Sequence, residues 1–260
     1  MLPSLFVAHG APLLAIENNE YTKFLKELGD ALPRPTAIVL FSAHWESNVQ
    51  MVGNVNTYST IYDFGGFSEE IYRIQYPAKG NAELAKDIQE LFEKQGISFQ
   101  VDTNRGLDHG AWVVLRLLYP NADVPVISMS VNPKLSPEEQ YQVGKALASL
   151  REKDVLIIAS GGTVHNLRAV NFGKDNGEAD EWALRFDQWL EDNLKKWDLK
   201  SLFDYETVAP GAELAVPTYG NEHFIPIFYA MGAADSQQTA SLLHRSYRYG
   251  NLSHSVWQFG

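Results

Sequence analysis

The chain has 260 residues, is 45% hydrophobic and carries a formal net charge of −11, enough length to bury one sizeable core or two small ones. Affinity for nucleic acid rests on clustered Lys and Arg neutralising phosphates, so the acidic balance argues against nucleic acid, and equally against an anionic membrane, as a partner. There is no cysteine, which excludes disulfides, thiolate metal sites, iron–sulfur clusters and cysteine nucleophiles, and leaves His, Asp and Glu to hold any metal.

The opening "MLPSLFVAHG" has no basic n-region and no long apolar stretch. No window approaches the roughly 18 apolar residues of a membrane span, so the expected location is cytoplasmic. A β-type run covers Leu5–Ala8, and apolar residues at three and four spacing predict a helix over Asn18–Leu32. A second strand follows at Ala37–Ala43, a helix at Asn81–Gly96 and a strand at Val124–Val131. The helix expected over Ser136–Lys153 opens with Ser136, Pro137 and Glu139, which resemble an N-cap, an N1 proline and a capping-box acid. A fourth strand, Val155–Ser160, precedes an amphipathic helix over Ala179–Trp197, whose acids and bases read as a solvated face. The C-terminal "LLHRSYRYGNLSHSVWQF" alternates like edge strands. Strands alternating with helices, without repeats or linkers, predict a single α/β domain over 1–260 with a central, mainly parallel or mixed sheet flanked by helices.

Ligands of such sheets bind outside the carboxyl ends of the strands. Three histidines fall there: His9 after "LFVA", His44 after "AIVLFSA", and His165 five residues beyond Ser160 in "ASGGTVHNL". One histidine beside a core strand is ordinarily a packing residue; three together point to a site. His223, beside Glu222 in "YGNEHFIPIF", and His109, opening "DHGAWVVLRLLY", extend the set, whereas His244 and His254 receive no chemistry. Converging neutral imidazoles suit Fe(II), Zn(II) or a similar ion, although no H-x-x-x-H pair fixes two ligands on one helix. The Gly161-Gly162 turn either exposes N–H groups to an anionic oxygen or is simply a tight strand-to-helix turn.

Six separated blocks, "LFVAHGAP", "PRPTAIVLFSAHWES", "YDFGGFSEEIYRIQYPAKG", "GLDHGAWVVLRLLYP", "ASGGTVHNLRAV" and "NEHFIPIFYAMGAA", resemble in order and spacing the DODA-type members of the class III extradiol ring-cleavage dioxygenases. The resemblance implies an α/β domain that inserts both atoms of O₂ into a catechol ring beside its two hydroxyls, as in 4,5-cleavage of L-DOPA. It implies that His9 and His44 are paired metal ligands and His223 the third. His165 matches a histidine that is either a fourth ligand or an acid/base beside the metal, and His109 one that faces the substrate. A related branch uses a glutamate as third ligand; here Glu222 is expected to point away from His223 on an extended or irregular segment and to buttress the loop. The implied catalytic ion is Fe(II), and the all-histidine set also suits Zn(II).

Catechol binding through both oxygens requires a proton to leave, which assigns His165 the acid/base role and His109 a donor role. Arg73, Arg105 and Arg168 are the cations available to a substrate carboxylate, and Tyr219 could touch the ring. The segment Asn56–Pro77, with four Tyr and two Phe around Gly65-Gly66, is a candidate pocket wall through Phe64 and Phe67. A zinc hydrolase and a non-catalytic metal-binding relative are the rival readings, the latter disfavoured by the presence of all five site histidines. The expected partners are a small catechol and O₂, for a monomer or small homo-oligomer.

Overall fold

The structure, a computed structural model, describes residues 1–174 and 177–260. Its strands are β1 (Ser4–Ala8), β2 (Ala37–Glu46), β3 (Gln50–Gly53), β4 (Phe99–Asp102), β5 (Val126–Val131), β6 (Val155–Gly161), β7 (Ala240–Arg248) and β8 (Leu252–Phe259). They form one sheet in the order β4-β3-β5-β2-β6-β1-β8-β7. The middle four strands are mutually parallel, with Ser4 opposite Ile157 and Ile38 opposite both Leu156 and Val126. β8 runs antiparallel to β1 and β7 antiparallel to β8, while on the other side β3 is antiparallel to β5 and parallel to β4. The sheet is therefore mixed, with a parallel centre.

Both faces are covered, which is why the central strands read as continuous apolar runs rather than alternating ones. On one face Leu5, Val7, Ile38, Leu40, Leu156 and Ile158 meet α1 (Glu20–Ala31) and, after α2 (Ala82–Gln95) in the chain, α3 (His109–Leu118). On the other, Phe6, Val39, Phe41, Ile157 and Ala159 meet α2, α4 (Pro137–Ala146), α5 (Glu181–Lys196) and, beyond the short helices α6 (Leu199–Phe203), α7 (Tyr205–Val208) and α8 (Ala212–Ala215), α9 (Pro226–Ala233). Ser136 caps α4 with the reciprocal Glu139 contact that the sequence predicts. That helix is shorter than expected: Ala148–Lys153 tightens into a 3-10 turn. The three-residue period there stacks Leu147 and Leu150, both fully buried, on the same side.

β2 also runs further than expected. Its register against β5 shifts between Ser42 and Glu46, so His44 lies inside an irregular strand end rather than beyond it. Among the described residues no helix is long and apolar enough to cross a membrane.

Candidate metal centre

The carboxyl ends of β2, β6 and β1 are neighbours in the sheet, so the residues that end them are brought together. His9 follows β1 and donates its backbone N–H to the carbonyl of Gly161 at the end of β6, 3.2 Å away. His223 arrives on a 3-10 turn, Asn221–His223, just ahead of α9. Its carbonyl accepts the N–H of Gly162 at 2.7 Å. A Cβ on Gly161 would stand 2.1 Å from that same carbonyl. Gly161 is thus glycine because the His223 backbone presses on it, and the Gly162 N–H is already engaged by protein. The anion-binding reading of this turn does not hold for the Gly162 N–H.

One ring nitrogen from each of His9, His44 and His223 lies within 4.8 Å of the others, and the acceptors around the rings assign which nitrogen faces inward. The Ser160 hydroxyl donates its single proton to the Gly110 carbonyl, so it must accept from His9 Nδ1, 3.0 Å away. His44 Nδ1 faces Asp63 Oδ2 at 3.4 Å, and His223 Nδ1 faces Glu222 Oε1 at 2.9 Å. Carboxylates accept, so both Nδ1 atoms carry their protons. The three Nε2 atoms are left with lone pairs, those of His9 and His44 only 3.0 Å apart. This donor set fits a borderline divalent cation, with His9 and His223 oriented by outer hydrogen bonds and His44 by the nearby Asp63 carboxylate. Glu222 does not point away from His223, because the 3-10 turn folds the two side chains together.

The other two histidines flank this group. His165 stacks on His223 with ring centroids 3.7 Å apart and 5° between planes. It stands outside the set whose nitrogens lie within 4.8 Å of one another. His109 is the first residue of α3, capped by Asp108, and its centroid is 4.0 Å from that of His44. Its backbone N–H donates to Asp63 Oδ1 at 2.9 Å, and its Nδ1 lies 3.0 Å from the same oxygen. Asp63 thereby joins His44 to His109. It lies in the loop between Gly53 and Ile71, where no periodicity marked it; only its place inside the "YDFGGF" block could have.

Burial, reinforced by the neighbouring imidazoles, holds His9, His165 and His223 well below the usual imidazole range. For His44 burial and then His109 lower the value to about 4. Burial acts to raise the Asp63 carboxyl, but hydrogen bonds and charge from His109 outweigh it and hold the group at about 2. At neutral pH the carboxylate is ionised and these four imidazoles are free bases.

A cavity of about 290 Å³ opens over all five histidines, with Phe64, Phe67, Val164 and Leu167 among its walls. Phe64 stands edge-on to His109 at 5.6 Å. Of the three arginines considered, Arg73 pairs with Glu69 at the surface. Arg105 is spent on the His44 carbonyl, on Asp108 and over the Trp45 ring. Arg168 stacks on Tyr219, 3.9 Å from its ring centroid, beside the cavity-lining Leu167. His254, which the sequence reading set aside, also lines the cavity.

A parallel-centred sheet with a histidine-lined, cation-fitting cavity at its strand ends defines a metal-dependent oxygenase or hydrolase of small molecules, and comparison with known proteins decides between them. The chain matches the family described as "Catalytic LigB subunit of aromatic ring-opening dioxygenase" over residues 3–260. It is 41% identical to a 4,5-DOPA dioxygenase extradiol of Beta vulgaris, over 98% of this chain and 96% of that protein. It is 36% identical to one of Escherichia coli K12, over 100% and 95%. A crystal structure of an uncharacterized E. coli K12 protein, JW3007, superposes with a TM-score of 0.84 at 34% identity, covering 100% of both chains. The chain belongs to the LigB family of aromatic ring-opening dioxygenases. It is a metal-dependent extradiol dioxygenase, and neither the hydrolase nor the non-catalytic reading is favoured.

Proposed function

We propose that the chain, acting as one catalytic unit over 1–260, opens the ring of L-DOPA or a closely related catechol, with Fe(II) as the catalytic ion held by His9, His44 and His223. Zn(II) suits the same three imidazoles. The observation that carries this reading is the convergence of three unprotonated Nε2 atoms on one cavity whose walls are largely apolar. The bound ion supplies the redox and Lewis-acid chemistry that lets a catecholate react with O₂.

The rest falls to side chains. His165, a free base stacked on His223, takes the proton that a catechol hydroxyl must lose and returns one later in the reaction. Its role is acid/base rather than fourth ligand, because it stacks on His223 outside the three-histidine set. His109, whose Nδ1 lies 3.0 Å from the Asp63 carboxylate, donates to a substrate oxygen. Phe64 and Phe67 hold the flat ring and exclude water. The working form is a monomer or small homo-oligomer in the cytoplasm.

The test is anaerobic loading with Fe(II), followed by L-DOPA or caffeate in air. Ring opening consumes O₂ and develops a yellow product chromophore. A protein that takes up Fe(II) yet consumes no O₂ with either catechol would defeat the assignment.

A further inference from the structure

β1 and β8 are antiparallel, with Val7 opposite Val256. Two residues further along, the same pairing carries His9 and His254 to one end of the sheet. Gly10 has a φ of +58°, and a Cβ there would stand 2.7 Å from His254 Nε2. The imidazole edge therefore occupies the space that a side chain at position 10 would fill. His254 is 4% exposed and lines the same cavity as the five site histidines. Its ring is fixed from behind by Tyr21, stacked at 4.6 Å and 16°, whose hydroxyl is tied to the Ala8 carbonyl. Among the described residues no hydrogen bond reaches either of its ring nitrogens. The imidazole is thus held in place at the cavity with its nitrogens free of protein partners among the described residues.

The geometry points to His254 as a positioning residue that donates a hydrogen bond to a carboxylate carried on the side chain of the catechol. This rests on the catechol reading above and adds the substrate feature recognised. An imidazole presents at least one N–H in either protonation state, and a carboxylate only accepts. An ammonium group would find no carboxylate among the described residues that line the cavity, and Asp63 and Glu222 behind it already face His109, His44 and His223. With a net charge of −11, an anionic substrate needs donors close at hand. The rim adds one: the Arg168 guanidinium stacks on Tyr219 and, among the described residues, forms no ion pair with a carboxylate.

The test is equilibrium binding by calorimetry under anaerobic conditions, on Zn(II)-loaded protein, of 3,4-dihydroxyphenylpropionate and of 4-methylcatechol, which lacks the carboxylate. The ratio of the two Kd values cancels differences in folded or loaded fraction. The parent should favour the carboxylate. In His254→Phe that preference should fall by about tenfold or more, as expected for loss of a hydrogen bond to a charged group. His254→Gln, which keeps an N–H donor, should retain most of it. If the phenylalanine variant does not fold, His254→Val is read the same way. A parent without preference, an unchanged ratio in the apolar variant, or an equal loss in the glutamine variant overturns the assignment. Because no turnover is needed, failure of ring opening and failure of carboxylate recognition are distinguishable.

Discussion

The Nε2 atoms of His9 and His44 face one another across 3.0 Å. Each ring has its Nδ1 proton committed outward, to Ser160 and toward Asp63, so two lone pairs oppose each other until a cation lies between them. Binding of that cation to the folded state alone must stabilise it. Chelation should therefore lower the melting temperature, and one equivalent of Fe(II) or Zn(II) should restore it. His44→Ala should unfold cooperatively yet bind no stoichiometric metal. One tightly held ion per chain in that variant, measured by elemental analysis, would remove His44 from the ligand set.

The same histidines set the acid limit of the ion-free protein. Burial and neighbouring imidazoles depress His9, His165 and His223 below the unfolded value of 6.5, and His44 to about 4. As pH falls below 6.5 the unfolded chain takes up protons that the folded chain refuses, so stability is lost in that direction. It should be level above about pH 7 and drop steeply between about pH 6.5 and 4. Urea midpoints of chelated protein measured across this range check it; a flat profile would mean that these imidazoles are not buried as free bases.

What the sequence made legible follows from locality. Apolar runs ending in His9 and His44 mark strands with their carboxyl ends at the site, and Ser136 with Glu139 marks a helix start, because each signal lies within a few residues. Asp63 was missed since it lies in irregular backbone and acquires meaning only when α3 brings His109 to it. His254 was missed for a longer-range reason: its position depends on β8 pairing with β1, more than two hundred residues away in the chain. Gly161 was misread in kind, because its need for glycine comes from a carbonyl sixty residues on and not from the turn itself.

Asp63 holds two of the site imidazoles through one carboxylate. Asp63→Asn keeps an oxygen for the His109 backbone N–H but removes the charge that orients both rings. Loss of such an outer partner typically costs about 10–100-fold in metal affinity or activity. The variant should show that loss in kcat or in Fe(II) affinity with its thermal unfolding little changed. Full activity at normal metal content would show that the carboxylate is incidental.

Gly161 and Gly162 are adjacent but should respond differently to the same change. At Gly161 a Cβ meets the His223 carbonyl at 2.1 Å, whereas at Gly162 the nearest atom is His165 Cβ at 3.6 Å. Gly161→Ala must push the His223 turn away, so it should destabilise by about 1–3 kcal/mol, the usual range for overpacking, and weaken metal binding as well. Gly162→Ala meets only ordinary contact and should keep both fold and metal. Urea titration and metal analysis of the pair decide it, and equal behaviour would mean that the strand end yields.

Phe64 and Phe67 form the aromatic side of the cavity. Their centroids are 5.5 Å apart, and Phe64 is backed by Tyr72 at 5.4 Å and Trp112 at 6.3 Å. Phe64 is thus held from behind while its edge reaches His109, which leaves it poised to contact a flat ring bound over the histidines. Neither residue approaches the three Nε2 atoms as a ligand, so truncation should change substrate binding and not metal content. An aromatic pair contributes about 0.5–1.5 kcal/mol beyond simple burial, so Phe64→Ala should raise KM for a catechol by about two- to tenfold. Phe67→Ala should have a smaller effect, because Phe64, which contacts His109, remains. Steady-state oxygen uptake with each variant measures this, and a KM equal to that of the parent in both would mean that the substrate ring lies elsewhere in the cavity.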